Sequence, residues 1–437
     1  MKENTFYIET YGCVSNKADS LIMSDILTRS GLTKSGLDEA QFIIINTCAV
    51  KEQTENKIKQ RLKQLQDAFG NIPEKHVVIA GCLPHVASGY EKKIKQIVPS
   101  FSAIIDLNNI NELPDILKIL KTGAKNQVFL AKESIDKAEI LIKIPPGKIT
   151  GIVPISEGCL GSCTYCCVKN ARGRLNCYNP VGIVKNVRYQ LAQGVKQVYL
   201  TSQDCSTYQY NKVRLVDLVR EITSIEKEFF LRLGMINPNF LINNAVQLET
   251  IFTMDNTYQF LHVPVQSGSN SVLKTMQRPY LISDIVDPLE RLRKRFPNLS
   301  ISTDVICGFP GETEYDFYKT INFVKWLKPE ILNVSKFTPR PGTKAKLMKQ
   351  VDGKTIKERS VRMSNVFRMN LERINEKWIN WSGKVLLLHE GQNKNQAFGR
   401  NFAYKNVFVD NYSGKFGTFV QVKIDNIDGF NLHGSII

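Results

Sequence analysis

Three cysteines lie close together near the middle of the chain, at Cys159, Cys163 and Cys166. Their spacing of four and then three residues lets one tight loop present all three thiols to a single centre. Such a set can ligate three irons of a cubane 4Fe-4S cluster and leave the fourth iron open for an exchangeable ligand. A structural zinc site is the alternative, but it needs a fourth ligand, for which the sequence offers only Cys167 or Cys177. The spacing therefore favours an iron–sulfur cluster.

Three other cysteines are far apart in sequence, yet each follows a short apolar run that is typical of a β-strand. Cys13 follows the run Phe6–Glu9, Cys48 follows Phe42–Asn46, and Cys82 follows His76–Ala80. The carboxyl ends of parallel strands meet at one edge of a sheet, so the three thiols are expected to converge there. Buried free cysteine is also a common small hydrophobic residue. Because the pattern repeats after three successive strands, the sequence predicts a second three-cysteine cluster.

The chain has 437 residues and ten cysteines, a length at which disulfide staples are not needed for stability. The four cysteines outside the two groups are expected to pack as small hydrophobic side chains. They are Cys167, Cys177, Cys205 and Cys307.

These three strands belong to an alternating strand–helix series over residues 1–125, which positions the three cysteines. A fourth strand is predicted at Ser102–Ile105, and helices are predicted near 17–30, 52–69, 90–98 and 110–121. Such alternation predicts an α/β domain with a parallel sheet that is covered on both faces. A lysine-rich stretch at 126–150 is predicted to be a linker.

A longer alternating series follows and, with a charged connecting helix near 355–380, defines a predicted central domain at 151–380. Its predicted strands are Ile152–Ser156, Gln197–Thr201, Phe229–Met235, Gln259–Val265, Leu299–Ile306 and Ile331–Ser335. Six strands with intervening helices predict a partial (β/α)6 barrel. The Cys159 loop directly follows the first of these strands, at the face where such barrels place their chemistry.

The last segment, 381–437, changes to short β runs separated by Gly, Asn and Asp turns. The runs are Val385–Leu388, Val407–Val409 and Phe419–Ile424. They predict a small antiparallel β-barrel.

The chain is strongly basic, with 58 Lys and Arg against 41 Asp and Glu and a formal charge of +17. This excess favours a polyanionic partner, first a nucleic acid and second an anionic membrane surface. The 43% of hydrophobic residues excludes a disordered basic tail. No apolar run reaches the length of a membrane span and the first residues do not resemble a signal peptide, so we expect a cytoplasmic protein with no membrane association.

The cysteine loop at the start of a six-unit barrel resembles the radical S-adenosylmethionine (SAM) enzymes. With the N-terminal cysteines, almost the whole chain resembles the methylthiotransferases of that class, and the C-terminal module resembles the TRAM RNA-binding domain. The segments that carry this resemblance are Tyr11-Gly12-Cys13, Asn46-Thr47-Cys48, Ala80-Gly81-Cys82, the Cys159 loop and Gly308-Phe309-Pro310-Gly311-Glu312-Thr313.

Finer features are similar to the archaeal and eukaryotic branch, which installs a 2-methylthio group on N6-threonylcarbamoyladenosine at tRNA position 37. They are Ala171-Arg172-Gly173, Thr201-Ser202-Gln203-Asp204, His262-Val263-Pro264-Val265-Gln266-Ser267-Gly268-Ser269, Arg340-Pro341-Gly342-Thr343 and Gly399-Arg400-Asn401 with Tyr404-Lys405. The chain departs from the family pattern at Leu21, where a Glu is usual, and at Cys205-Ser206.

The resemblance implies two 4Fe-4S clusters and S-adenosyl-L-methionine as cofactors. SAM would chelate the open iron held by Cys159, Cys163 and Cys166, and its reductive cleavage would give methionine and a 5′-deoxyadenosyl radical. The cluster at Cys13, Cys48 and Cys82 would supply the methylthio group to adenine C2. All six cysteines are thus predicted metal ligands and catalytic residues.

Other side chains are candidates for cofactor and substrate contacts. Those predicted to contact SAM are Tyr165, Gln203, Arg232 and Gln266. Those predicted to contact the substrate RNA are Ser267, Arg400, Asn401, Tyr404 and Lys405. Satisfied core polar groups, or an exposed barrel aromatic for Tyr404, are the alternatives. Residues 383–437 contain six Lys or Arg against four Asp or Glu, so RNA binding there must depend on individually placed side chains.

The predicted partner is the anticodon arm of tRNA, bound by a monomer. An electron donor and a sulfur source are also required, and the sequence identifies neither. Two alternatives stay open: a methylthiotransferase that acts on a ribosomal-protein aspartate, and a zinc-containing RNA-binding protein without catalysis. The basic charge and the C-terminal module favour RNA as the substrate.

Overall fold

The computed structural model describes residues 3–131 and 134–437. The chain forms two compact units. Unit 1 consists of Met1–Lys143, Pro154–Asn186 and Thr338–Leu347, and unit 2 consists of Ile144–Val153, Val187–Phe337 and Met348–Ile437. Unit 1 therefore contains the N-terminal sheet together with the segment that carries Cys159, Cys163 and Cys166.

The core of unit 1 is a parallel six-stranded sheet in the order β2-β1-β3-β4-β5-β6. The strands are β1 Thr5–Thr10, β2 Thr33–Lys34, β3 Phe42–Thr47, β4 His76–Gly81, β5 Ala103–Ile105 and β6 Gln127–Phe129. The helices that accompany them are α1 Val14–Arg29, α2 Glu52–Phe69, α3 Tyr90–Ile97 and α4 Leu113–Leu120. Every residue of β3 and β4 is buried, as expected for central strands covered on both faces.

The sequence of helix α2 explains where the helix begins and which of its faces packs in the core. Glu52 and Glu55 lie in its first turn, where negative charge favours the helix dipole. Ile58, Leu62 and Leu65 recur at helical spacing and are buried. The predicted sheet, helices and fold class are confirmed, and β6 extends the sheet beyond residue 125 into the predicted linker.

The rest of unit 1 consists of short elements around the loop of Cys159, Cys163 and Cys166. They are β8 Ser156–Glu157, α5 Val168–Arg172 and β9 Asn176–Cys177, with α6 Pro180–Ala192 continuing into unit 2. β8 and β9 pair antiparallel, so the intervening cysteine loop is closed at its base.

Unit 2 begins with strand β7 Thr150–Pro154, whose last residue belongs to unit 1. The strands that follow are β10 Gln197–Thr201, β11 Gln209–Tyr210, β12 Val213–Arg214, β13 Phe230–Leu233, β14 Phe260–His262, β15 Ser300–Cys307 and β16 Ile331–Lys336. The helices are α7 Leu215–Thr223, α8 Pro238–Phe252, α9 Asn270–Thr275, α10 Ile282–Arg295, α11 Glu314–Leu327 and α12 Gly353–Asn375.

The major strands of unit 2 form two three-stranded sheets, β13-β10-β7 and β14-β15-β16. Isolated parallel bridges, Leu231 to Thr257 and Met235 to His262, connect one sheet to the next. The six strands thus follow one another in chain order, which confirms the predicted partial (β/α)6 barrel. The two-residue strands β11 and β12 form a separate hairpin.

A closed five-stranded barrel in the order β17-β18-β19-β21-β20 ends the chain. Its strands are β17 Ser382–Glu390, β18 Ala397–Asn401, β19 Asn406–Val409, β20 Phe419–Asp428 and β21 Asn431–Ile436. The predicted small β-barrel is confirmed, with β18 and β21 added to the three predicted strands, but it is not wholly antiparallel, because β19 and β21 pair in parallel. The boundaries 1–125, 126–150, 151–380 and 381–437 stay a prediction. Within the part of the chain that the structure describes, no helix is both long and apolar enough to cross a membrane.

Candidate metal centres

The loops that follow β1, β3 and β4 meet at the carboxyl edge of the N-terminal sheet. The Tyr11 N–H donates to the Asn46 carbonyl oxygen at 2.8 Å, and the Cys82 N–H donates to the Thr47 carbonyl oxygen at 2.8 Å. The loops of Cys13 and Cys82 are therefore both anchored to the end of β3, directly before Cys48. The three loops thus meet at one edge of the sheet, as the sequence predicts, and ligation of a cluster by their thiols stays a prediction.

The glycine before Cys82 is required by this close approach. Gly81 has φ +95°, and a Cβ atom built on it would lie 2.3 Å from the Thr47 carbonyl oxygen. The equivalent residue before Cys13 is Gly12, with φ +123°, where a Cβ would lie 2.8 Å from the Cys48 Cβ. Any larger side chain at either position would push the cysteine loops apart.

Side-chain amides hold the same edge together from beneath. Asn16 Nδ2 donates to Asn46 Oδ1 at 3.1 Å and to the Thr47 carbonyl oxygen at 3.0 Å. Asn46 Nδ2 in turn donates to the Asn16 carbonyl oxygen at 2.8 Å and to Ser20 Oγ at 2.9 Å. Asn16 also accepts from the Cys13 thiol at 3.3 Å, so the network reaches the first cysteine.

The three thiols differ in exposure: Cys13 is exposed, whereas Cys48 and Cys82 are buried. Burial raises the pKa of Cys82 to about 11, the charge of Arg172 opposes this rise, and the nearby Cys13 and Cys48 reinforce it. Metal ligation requires the thiolate. Arg172 is therefore the group beside Cys82 that favours its ligating form.

The second group of thiols lies on the loop between β8 and α5. The Gly161 N–H donates to Cys159 Sγ at 3.2 Å. A Cβ atom built on Gly161 would lie 3.3 Å from Cys159 Sγ and 3.8 Å from Cys163 Sγ, so both sulfurs face this glycine. Burial, reinforced by charge on Cys163 and Cys159, raises the pKa of Cys166 to about 12. The three thiols thus share one small loop.

Both groups have the donor chemistry of iron–sulfur ligands, namely three thiols within loops that backbone contacts hold in place. Within residues 3–131 and 134–437, no three His, Cys, Asp or Glu side chains form a ready-made site for a single metal ion. The remaining cysteines pack in the protein, with Cys167, Cys205 and Cys307 buried and Cys177 half-buried.

A buried cluster of four charged side chains lies beside the first group of thiols, and the sequence did not predict it. We call it the ion quartet. It consists of Asp19 on α1, Lys137, Glu157 on β8 and Arg172 at the end of α5. Lys137 Nζ lies 3.0 Å from Asp19 and 2.8 Å from Glu157, and Arg172 lies 2.8 Å from Asp19 and 2.6 Å from Glu157.

The quartet is electrically balanced, with two cations and two carboxylates that are all at least nine-tenths buried. Burial alone would raise the pKa of Glu157, but Lys137 and Arg172 lower it to about 2. The Tyr178 hydroxyl adds a hydrogen bond to Glu157 at 3.2 Å. Buried charges are tolerated when they are paired in this way, and removal of one partner is costly.

A further buried arginine supports the loop of Cys48. Arg340 donates from Nε to the Ala49 carbonyl oxygen at 3.0 Å and forms an ion pair with Glu55. Glu55 also accepts from Tyr90 and from Lys59, the latter at 2.6 Å. The sequence motif that begins at Arg340 thus anchors the segment 338–347 to helix α2 within unit 1.

In unit 2, Gln203 and Gln266 follow β10 and β14 and are both half-buried. Gln266 has φ +76° and its backbone pairs with β15, through hydrogen bonds of 2.8 Å to Asp304 and 2.9 Å from Ile306. Ser267, a predicted substrate contact, is 1% exposed, and its hydroxyl lies 3.2 Å from the Thr320 hydroxyl. Its contacts are therefore those of a core residue.

Arg232, on β13, lies among aromatic side chains. Its guanidinium carbon lies 5.0 Å from the ring centres of Tyr199 and Phe260 and 5.2 Å from that of Tyr404. The hydroxyls of Tyr199 and Tyr404 are 2.6 Å apart. The Arg232 side chain thus packs against an aromatic cluster that includes Tyr404 of the C-terminal barrel, and its contact with SAM stays a prediction.

The other predicted RNA contacts of the C-terminal barrel also have structural contacts. Arg400 lies 4.1 Å from the Tyr404 ring centre and donates to the Tyr404 carbonyl oxygen at 2.7 Å. Asn401 is fully buried and accepts from the Ala403 and Lys405 N–H groups. Lys405 is 5% exposed. These contacts hold the turn after β18 in place, and contact with RNA stays a prediction.

Comparison with protein families and known proteins gives independent evidence about the family to which the chain belongs. The model described as "Uncharacterized protein family UPF0004" matches residues 5–106, and the Radical SAM superfamily model matches residues 153–324. The chain is 36% identical to a probable threonylcarbamoyladenosine tRNA methylthiotransferase of Pyrococcus horikoshii, over 99% of both chains. It is 31% identical to the threonylcarbamoyladenosine tRNA methylthiotransferase of Drosophila melanogaster, over 99% of this chain and 77% of that protein.

Another relative carries a different nucleoside in its name. The tRNA-2-methylthio-N(6)-dimethylallyladenosine synthase of a Sulfurihydrogenibium species is 30% identical over 99% of both chains. Among solved structures, the radical S-adenosylmethionine methyltransferase TsrM from Kitasatospora setae matches with a TM-score of 0.58 and 13% identity, over 79% of this chain and 74% of that one. At that identity the likeness concerns the fold alone.

Proposed function

The chain belongs to the radical S-adenosylmethionine methylthiotransferase family, and from that membership we propose that it adds a methylthio group to C2 of N6-threonylcarbamoyladenosine at tRNA position 37. The relatives named for this nucleoside reach 36% identity, whereas the relative named for the dimethylallyl nucleoside reaches 30%. This difference supports the threonylcarbamoyl nucleoside as the substrate.

Family membership brings SAM and a 4Fe-4S cluster as cofactors. We propose two clusters, one held by Cys159, Cys163 and Cys166 and the other by Cys13, Cys48 and Cys82. When bound, these groups supply the electron that cleaves SAM and the sulfur that is transferred, chemistry that side chains alone do not provide.

The observation that carries the proposal is the presence of two separate three-thiol groups in one compact unit. Unit 1 contains the carboxyl edge of the N-terminal sheet as well as the loop between β8 and α5. A structural zinc site takes four ligands, whereas three thiols leave one iron of a cubane open. Two such groups fit a protein that must both cleave SAM and carry sulfur.

The chain's own residues position these thiols. Gly12 and Gly81 permit the close approach of the N-terminal loops, and the Gly161 N–H is directed at Cys159 Sγ. Gln203 and Gln266, which follow strands of the barrel, remain the proposed SAM contacts, together with Tyr165 on the cysteine loop.

We propose the anticodon arm of tRNA as the binding partner of a cytoplasmic, monomeric enzyme. The formal charge of +17 supports an anionic substrate. Because Ser267, Asn401 and Lys405 are buried, phosphate contacts are expected from exposed basic side chains elsewhere in the chain.

Metal analysis tests the cofactor part of this proposal. Protein purified without oxygen should contain about eight irons per chain, as two 4Fe-4S clusters require. The Cys159→Ala, Cys163→Ala, Cys166→Ala triple variant should retain about half of that iron. Stoichiometric zinc without iron would instead identify a metal-stabilised RNA-binding protein.

Nucleoside mass spectrometry tests the substrate. A strain that lacks the gene should retain N6-threonylcarbamoyladenosine and lose its 2-methylthio form, and wild-type protein but not Cys48→Ala should restore it. Loss of a methylthio group from a ribosomal-protein aspartate, with an unchanged tRNA profile, would replace the proposal with the protein-modifying alternative.

A further inference from the structure

Arg172 makes a contact that the other cation of the ion quartet does not make. Its Nη1 and Nη2 bind Glu157 and Asp19 at 2.6 and 2.8 Å, and its Nε donates to Cys82 Sγ at 3.2 Å. The side chain is 3% exposed. All three guanidinium nitrogens are thus directed by buried partners, and one of those partners is a proposed cluster ligand.

We propose that Arg172 is a positioning residue that hydrogen-bonds the Cys82 ligand of the N-terminal cluster and thereby sets the reduction potential of that cluster. This inference rests on the proposed function, because it presumes an iron–sulfur cluster at Cys13, Cys48 and Cys82.

The physical basis is the charge that a cluster gains on reduction. An added electron makes the cluster and its thiolates more negative, and a hydrogen bond and a nearby positive charge stabilise that form. Arginine suits this task because its planar fork offers donors in fixed directions and stays charged when buried. Removal of the donor should therefore make the potential more negative.

The ion quartet explains why the Nε of Arg172 is directed at sulfur. Asp19 and Glu157 each contact Lys137 as well as one terminal nitrogen of Arg172. The two carboxylates are thereby satisfied without Nε and lock the orientation of the guanidinium plane. Among the hydrogen bonds and ion pairs of the described residues, Lys137 contacts Asp19 and Glu157 but no cluster cysteine, so the two cations share carboxylates but differ at sulfur.

Arg172 also connects the two groups of thiols within unit 1. Helix α5 has Cys167 at its N-cap, directly after Cys166, and it ends at Arg172. A helix of five residues is about 8 Å long, from a rise of about 1.5 Å per residue. A single rigid turn thus lies between the Cys166 loop and the residue that holds Cys82.

The experiment uses the full-length Cys159→Ala, Cys163→Ala, Cys166→Ala chain as its background, so that only the N-terminal cluster contributes. Two matched double variants are compared in it, Arg172→Gln with Glu157→Gln and Lys137→Gln with Glu157→Gln. Both remove one cation and neutralise the same carboxylate, so both keep the buried charge balanced. Only the first removes the hydrogen bond to Cys82.

The measurement is a potentiometric titration with dithionite, in which reduced cluster is counted by electron paramagnetic resonance. We expect the equilibrium constant for one-electron reduction of the cluster to be at least tenfold lower in the Arg172 double variant, which corresponds to a reduction potential about 59 mV more negative. The Lys137 double variant should stay within threefold of the background protein. Iron loss to a chelator should also be about 10-fold or more faster in the Arg172 variant.

Equal potentials and equal iron loss in the two double variants would overturn the inference and leave Arg172 as a member of an ion network only. Arg172→Lys alone provides a further check, since it keeps the charge and removes the fork: a potential equal to that of the background protein would contradict the role of the hydrogen bond. A background protein that binds no iron would refute the proposed cluster at Cys13, Cys48 and Cys82. This result would be seen before Arg172 is changed, so it is distinguishable from a failure of the inference itself.

Discussion

The ion quartet should make Lys137 one of the most sensitive positions of unit 1, although it lies in a segment that looks like a linker. Lys137→Met would leave Asp19 and Glu157 with only Arg172 between them. The lysine side chain is 2% exposed, so water does not compensate for its loss.

The magnitude follows from the cost of breaking a buried ion pair, which is about 3–5 kcal/mol when one partner is removed. For domains of 150–250 residues each kcal/mol lowers the melting temperature by about 2–4 °C. The melting transition of unit 1 should therefore fall by about 6–20 °C. Lys118→Met is the matched control, because Lys118 and its partner Asp115 are both 75% exposed, and it should change stability by less than about 0.5 kcal/mol.

A double-mutant cycle tests the cause of this loss by differential scanning calorimetry. Glu157→Gln alone leaves excess positive charge, whereas Lys137→Met with Glu157→Gln leaves the Arg172–Asp19 pair at 2.8 Å. The double variant should be more stable than the sum of the single variants predicts, by a coupling of about 1–3 kcal/mol. Additive effects, or a Lys137→Met protein that melts with the wild type, would refute the account of the quartet.

Three other predictions follow from single positions. Gly81→Ala should abolish iron binding at the N-terminal cysteines, because its Cβ would lie 2.3 Å from the Thr47 oxygen, whereas Gly123→Ala, at φ +90° with open space around it, should cost only about 1–2 kcal/mol; iron analysis and thermal melts compare the two. Burial lowers the pKa of Lys405 to about 8, so the unfolded chain binds the proton more tightly, and the free energy of unfolding should rise as the pH increases from about 8 to 10.5. Lys405→Met should remove this rise in chemical denaturation series, and a persistent rise would assign it to another group. Cys163→Ala should abolish SAM cleavage, whereas Cys48→Ala should cleave SAM to 5′-deoxyadenosine but transfer no methylthio group. Chromatography measures both products. Methylthio transfer by Cys48→Ala at the wild-type rate would contradict the separate roles of the two clusters.

Local sequence patterns predict the elements that carry the thiols. The predicted run Phe42–Asn46 lies within the buried strand β3, Phe42–Thr47, and the loop that carries the following cysteine lies at the sheet edge as expected. Strands β18 and β21 are not predictable in the same way, since they contain Gly, Asn, Ser and His and are stabilised by neighbouring strands of a closed barrel.

The ion quartet is also beyond local patterns. Lys137 and Asp19 are 118 positions apart, and Arg172 and Asp19 are 153 positions apart, so nothing near any one of them announces the others. The Ala171-Arg172-Gly173 motif was the one available signal. Motif resemblance likewise singled out Arg400, Asn401, Tyr404 and Lys405, whose contacts hold the turn after β18, but it does not distinguish a side chain that contacts RNA from one that holds a turn.

The most direct test of the proposed activity is a reaction of the purified, iron-loaded protein with tRNA and SAM that carries a labelled methyl group. With dithionite as reductant and sulfide supplied, the label should enter tRNA that contains N6-threonylcarbamoyladenosine, and mass spectrometry should place it in the 2-methylthio form of that nucleoside. Matched tRNA with unmodified adenosine at position 37 should remain unlabelled. Label in the dimethylallyl nucleoside alone, in a ribosomal protein, or in no product despite SAM cleavage would contradict the assignment.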